Sequence, residues 1–288
     1  MERFLTLPDA LLGWGRPRLR DLPWRRTRDP WAVLVSELML QQTQVSRVLP
    51  RYGAFLEQFP TPAVCAAAGV AEVIQAWAGL GYNRRAVNLH GAAVAVTGLG
   101  RFPDTLEGLL ALPGVGPYTA RAVLAFAYEA DAAVVDTNIA RVLARVAGHR
   151  LTARRAQATA DDWLERGESW AWNQSLMELG ATVCTARSWA CASCPLTFTC
   201  AWHGAGHPEP DPAVGSAGVS GGQSRFDGSD RQGRGRLVGA LRLGPVEASD
   251  LAAVTGWPGD PDRARRVADT LVRDHLAWRD GAGIYRLP

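Results

Sequence analysis

The sequence predicts an all-α body followed by a linker and a small winged-helix-like domain, and three observations carry that prediction. From Pro30 to Ala201 apolar residues recur at three- and four-residue spacing, with no sustained period-two alternation. Gly and Pro interrupt that spacing at short intervals, as turns between helices do. From about Gly204 to Arg234 the composition shifts to Gly, Pro, Ser and Asp, and helical periodicity returns only beyond that stretch.

Each element follows in turn. The apolar spacing predicts helices over Trp31–Leu40, Val45–Phe59, Val70–Ala76, Asn83–Thr97 and Leu106–Ala111. It then predicts Pro117–Tyr128, Asn138–Ala147, Ala153–Arg166 and Ala171–Ala181, with Pro117 suited to a first helical turn. These helices and the cysteine-rich stretch after them form one domain over residues 1–203. Residues 204–233, including GSAGVSGGQS, read as a flexible linker. Residues 234–288 hold GRLVGALRL, EASDLAAVTG and RARRVADTLVRDHLAW, three short helices, and then a hairpin around Asp280–Gly283. That order is the order of a winged helix, and the arginines opening its third helix suit either DNA or solvent.

With 288 residues and 47% hydrophobic content the chain can bury a substantial core, and no apolar run is long enough to span a bilayer. The first 20 residues carry acids and Pro8 where a secretory signal has a continuous apolar stretch, which points to the cytoplasm. No feature drives oligomerisation, so a monomer is expected. The formal charge of +3 says little, but its distribution says more. Arg16, Arg18, Arg20, Arg25, Arg26 and Arg28 crowd one segment, and Arg84, Arg85, Arg121, Arg141, Arg145 and Arg187 recur at expected loop or helix ends. Arginine forks pair with phosphate, so this scatter either gathers into a basic face on folding or stays solvated. All 31 basic residues are arginine, which leaves no side-chain amine to form a Schiff base.

Four cysteines, Cys184, Cys191, Cys194 and Cys200, follow the order Cys-x6-Cys-x2-Cys-x5-Cys, while Cys65 lies far away. Thiolates in so short a run suit tetrahedral zinc or an iron–sulfur cluster, and the single CxxC pair leans toward the cluster. A disulfide pair is the third reading and needs an oxidising compartment.

Two further segments bear chemistry. In LPGVGPYTA, Leu112, Gly114, Val115 and Gly116 form a tight hairpin between helices, where glycines let backbone approach a phosphate and a helix start attracts anions. The plain alternative is a structural helix-to-helix turn. Asp136 follows an apolar run and precedes a helix start, the place of an ordinary N-cap. Glu37, in WAVLVSELMLQQTQV, has apolar neighbours on both sides, and a buried carboxylate requires a reason.

SELMLQQTQV, GLGYNRRAVNLH, LPGVGPYTA, VVDTNIARVLARV, NQSLMELGATVC and the four-cysteine run stand in this order between about Trp24 and Trp202. Together they resemble the helix-hairpin-helix-GPD superfamily of base-excision DNA glycosylases, most closely the MutY-type adenine DNA glycosylases. The resemblance implies a two-lobed helical fold with an iron–sulfur lobe, and a structural [4Fe-4S] cluster on Cys184, Cys191, Cys194 and Cys200. It implies double-stranded DNA containing mispaired adenine as partner, a nucleoid-associated setting, and Arg187 on a loop that meets DNA phosphates. By motif, Glu37 resembles the general acid and Asp136 the oxocarbenium stabiliser or transient nucleophile. Tyr118 and Asn138 match positions that orient these groups, and Gln41, Gln42 and Tyr82 match residues that fill or wedge the base stack. Endonuclease III-like relatives carry a Schiff-base lysine where this chain has Tyr118, so a monofunctional glycosylase is expected.

The sequence departs from the family pattern in three places. Thr137 stands where adenine-specific members usually have glycine, Asn83 follows Tyr82 where another residue is common, and the C-terminal Nudix-like domain of many members has no counterpart here. Two other readings therefore stay open at this level: a mismatch T:G thymine glycosylase, and a non-catalytic iron–sulfur DNA-binding protein, which would have no use for both acids.

Overall fold

The computed structural model describes residues 6–219 and 225–288. The chain divides into two compact units, each assembled from separate stretches of sequence.

The first unit comprises Met1–Val33, Asp104–Leu109 and Val115–Gly222. Its helices are Leu7–Gly15, Pro117–Ala127, Thr137–Ala147, Ala153–Trp163, Ser169–Thr182 and the single turn Ala201–Gly204. Leu7–Gly15 goes beyond the sequence expectation: Thr6 accepts from Asp9 N–H, and Pro8 occupies the first turn. Ser169–Thr182 packs against both Leu7–Gly15 and Thr137–Ala147 around Leu11, Ile139, Leu143, Trp172, Leu176 and Leu179. A Cβ at Gly15 would sit 2.1 Å from Ser175 Oγ, so glycine there sets how closely Leu7–Gly15 and Ser169–Thr182 approach. Glu178, 1% exposed on its side chain, is held in the same helix by Arg20 at 2.6 Å and Arg25 at 2.9 Å. Those two arginines of the basic N-terminal segment therefore do structural work.

The second unit comprises Leu34–Pro103, Leu110–Gly114 and Gln223–Pro288. Here Val45–Gln58, Val70–Ala76 and Arg84–Leu99 match expectation closely, and Pro62–Ala67 adds a helix capped by Thr61. The C-terminal stretch forms the helices Asp230–Leu241, Leu251–Thr255 and Pro261–Arg273, then an antiparallel pair, Trp278–Arg279 with Tyr285–Arg286. Val246 bridges to Tyr285 beside that pair. Three helices and a hairpin turning at residues 280–283 are the arrangement the sequence predicts for a winged helix. This stretch is not an isolated lobe: Arg242 donates to the Ile74 carbonyl at 2.9 Å and to Asn83 Oδ1 at 2.9 Å, and Arg84 pairs with Asp274 at 3.0 Å.

The segment expected to be linker carries more structure than its composition suggests. Ala213 and Ser216 are buried, Ser216 Oγ accepts from Leu151 N–H at 3.0 Å, and the Asp230 helix starts inside the expected linker range. Small residues allow this close apposition: Gly218 lies where a Cβ would come within 2.9 Å of the Ala140 side chain. Residues 220–224 of that segment fall outside the described residues. Among the described residues, no helix is long and apolar enough to cross a membrane.

Candidate active site and metal centre

Glu37 lies in the Pro30–Leu40 helix and in the second unit, 6% exposed. Its neighbours Leu34, Val35, Leu38 and Met39 are fully buried, so its carboxyl group sits on an apolar helix as the sequence predicts.

Asp136 is the N-cap of Thr137–Ala147 in the first unit. Its Oδ1 accepts from Ile139 N–H at 2.7 Å, and its Oδ2 accepts from Asn138 Nδ2 at 3.0 Å. Desolvation by the surrounding protein pushes its pKa up, and these hydrogen bonds and nearby Arg141 work against that rise. Asn138 is fixed in turn, its Oδ1 accepting from Arg141 Nη2 at 2.8 Å. Arg141 also donates to the Gly180 carbonyl and, through Nε, to the Cys184 carbonyl at 2.7 Å. A Cβ on Gly180 would lie 2.6 Å from Asn138 Cβ and 2.8 Å from its carbonyl oxygen, so the glycine of NQSLMELGATVC is required by this contact.

Tyr118 is half-buried in the first turn of Pro117–Ala127, within the first unit. The hairpin before it turns at Gly114, φ 76°, where a Cβ would also collide with Asn88 at 2.5 Å. Gly116 is extended and caps the helix, its carbonyl accepting from Ala120 N–H at 2.9 Å. Leu112 and Val115 are buried, 3% and 7% exposed, so only their backbone can face a phosphate. In the second unit Gln41, Gln42 and Tyr82 line one cavity of about 600 Å³ together with Asn88, Phe226 and Arg231. Gln42 and Tyr82 both adopt positive φ, 52° and 46°, a strained backbone that concentrates at functional loops. Arg85 locks the two loops by donating to the carbonyls of Leu38, Met39, Gln41, Leu80 and Gly81.

Cys184, Cys191, Cys194 and Cys200 all line one cavity whose walls include Val142, Leu179, Leu196 and Trp189. Burial pushes the Cys194 thiol up to about 11 and raises Cys191 and Cys200. A soft cation binds such thiols as thiolates and releases their protons, so the donor set fits a metal or iron–sulfur group. Arg145 supplies opposing charge, donating from Nη1 to Cys184 Sγ at 3.2 Å and pairing with Asp211 at 2.7 Å. Arg187 is exposed on the loop between the first two cysteines. Cys65 is fully buried, its thiol pushed up to about 12 by that burial, and it is not among the residues lining this centre.

Sequence reasoning overlooked Arg141, Arg145 and Gly180 as site residues. Arg85, Arg141 and Arg145 are 7%, 5% and 1% exposed, so they do not join a basic face. Helical spacing puts Asn138, Arg141 and Arg145 together on the polar face of the amphipathic Thr137–Ala147 helix, a face that ordinarily meets solvent and on which both arginines are buried here.

A family profile described as HhH-GPD superfamily base excision DNA repair protein matches residues 35–166. An adenine DNA glycosylase of Mycolicibacterium smegmatis is 43% identical over 97% of this chain and 95% of its own length. The adenine DNA glycosylase of Homo sapiens is 41% identical over 66% of this chain and 38% of its own length. Among solved structures, a thermostable thymine-DNA glycosylase superposes with TM-score 0.63 at 28% identity, covering 68% of this chain and 94% of its own. A trapped endonuclease III–DNA covalent intermediate gives TM-score 0.61 at 24% identity, covering 71% of this chain and 100% of its own, a likeness of fold.

Proposed function

Since the chain belongs to the adenine DNA glycosylases of the HhH-GPD base excision DNA repair superfamily, we propose that it removes adenine mispaired with 8-oxoguanine or guanine and does so as a monofunctional, monomeric enzyme. That it is an adenine-specific DNA glycosylase follows from its family; the opposite base and the roles of its residues are the proposal.

A base stacked inside duplex DNA is out of reach of protein carboxylates, so adenine must first be flipped out at the cost of unstacking. Gln41, Gln42 and Tyr82 enter the vacated stack, while the Gly114–Gly116 hairpin and Arg187 grip the strand through phosphates. Adenine leaves poorly as an anion. Glu37, acting as the general acid, donates a proton to a purine ring nitrogen as the N-glycosidic bond lengthens. Positive charge then develops on the sugar, and the Asp136 carboxylate stabilises it until water adds. Asn138 holds Asp136 in place, and Tyr118 orients the sugar. Cys184, Cys191, Cys194 and Cys200 would hold a [4Fe-4S] cluster, which when bound supplies a rigid anchor for the Arg187 loop.

The observation that carries this reading is Asp136. An N-cap needs one oxygen on one backbone N–H, yet this carboxylate is desolvated and also held by a side chain that Arg141 and Gly180 fix in turn. The test is single-turnover base release from duplexes carrying A:8-oxoguanine, A:G and T:G. Adenine release from the first two without thymine release supports the proposal. Thymine release, or adenine release that ignores the opposite base, overturns it.

A further inference from the structure

Just beyond Cys200 the chain folds back on the four-cysteine loop. The Ala201–Gly204 turn ends with Gly206 and His207 both at positive φ, 77° and 62°, and His207 N–H donates to the Trp202 carbonyl at 2.9 Å. Positive φ is uncommon for a residue other than glycine. Its effect is to place His207 Nε2 3.4 Å from Cys191 Sγ and 3.3 Å from His203 Nδ1. All three donor atoms lie within 4.8 Å of one another. Trp189 and Trp202 wall the group, their ring centroids 5.8 Å and 4.7 Å from that of His207.

Hydrogen bonding cannot satisfy this arrangement. A neutral imidazole Nε2 carries one proton or one lone pair, so it can serve Cys191 or His203 but leaves the other contact unmade. One cation satisfies all three donors together. Bonds of about 2.3 Å to sulfur and about 2.0–2.1 Å to nitrogen around tetrahedral zinc give N···N edges of ~3.3 Å and N···S edges of ~3.6 Å. The two short separations found here match those edges.

We propose that Cys191, His203 and His207 form a second metal site, which takes a thiophilic divalent ion of the zinc class. Both ligand sets use Cys191, so this ion and a four-cysteine group exclude one another. The site therefore belongs to the chain whose four-cysteine centre is empty, and it keeps the Cys191–His207 loop folded in that state. The inference goes beyond the glycosylase reading and stands apart from its chemistry.

The test uses the full chain freed of iron and titrated with cobalt(II), whose absorption reports ligand type and geometry. One equivalent should bind with the spectrum of a tetrahedral site having one thiolate, and zinc should displace it. The double variant His203→Ala, His207→Ala should bind cobalt at least about tenfold more weakly, while its reconstituted iron–sulfur absorption stays at the wild-type level. A four-thiolate cobalt spectrum that is unchanged in the histidine variant overturns the proposal. Should that variant fail to fold, the double variant Cys184→Ser, Cys200→Ser decides: it retains Cys191 and both histidines, so retained cobalt binding supports the site and lost binding refutes it.

Discussion

Replacing Asp136 separates its two duties, capping a helix and carrying charge for catalysis. In Asp136→Asn the amide oxygen still accepts from Ile139 N–H, now 2.7 Å from Oδ1, and asparagine caps about as well as aspartate. The contact with Asn138 Nδ2 is lost, costing about 1 kcal/mol, while relief of the desolvated charge works the other way. The variant should therefore stay within about 1 kcal/mol of wild type, or roughly 2–4 °C in Tm. Asp136→Ala loses the cap as well, at about 0.5–2 kcal/mol more. Adenine release should fall at least about 100-fold in both, because the charge opposite the developing oxocarbenium is gone in both. The pH dependence has a definite sign. Burial raises the Asp136 pKa above its ordinary 3.8, so the ionised group costs folded-state stability at neutral pH. As pH falls through the raised folded value, wild type should gain stability relative to Asp136→Asn. Thermal melts and single-turnover kinetics on the same preparations check both halves. An Asp136→Asn enzyme with wild-type turnover would reduce Asp136 to a cap and refute the reasoning.

Three further outcomes are expected. Gly180→Ala should cost about 1–3 kcal/mol by overpacking against Asn138 and should slow base release, as seen by denaturant unfolding and kinetics; an unchanged rate would uncouple that helix contact from the site. Arg145→Met should destabilise by about 3–5 kcal/mol, because it leaves Asp211, 13% exposed on its side chain, without its partner; a loss below about 1 kcal/mol in chemical denaturation would count against that ion pair. Borohydride should trap no enzyme–DNA adduct through a side-chain amine, and the abasic strand should stay whole until alkali is added, since the chain has no lysine.

Much of this architecture is legible in the sequence because it rests on local physics. Apolar spacing marks the helix from Val45 and that from Arg84, Gly114 announces a turn needing positive φ, and four closely spaced cysteines announce a centre. What escapes sequence reading depends on partners far along the chain. Arg85 and Arg145 look like surface cations until the carbonyls of Leu38 and Met39, or the carboxylate of Asp211, arrive to receive them. Ser216 reads as linker until Leu151 donates to it. Histidines 203 and 207 fall outside the cysteine run, and only the backward turn at Gly206 and His207 brings them to Cys191. The candidate acids stand out in the sequence by their apolar settings, whereas the contacts that fix Asp136 join residues 138, 141 and 180.

The central claim is that Glu37 delivers the proton that lets adenine leave, and Glu37→Gln tests it most directly. Single-turnover adenine release from an A:8-oxoguanine duplex, with duplex affinity measured in parallel, should fall by at least about 100-fold while binding persists, the usual range for a lost general acid. Wild-type release from the glutamine variant would contradict the account.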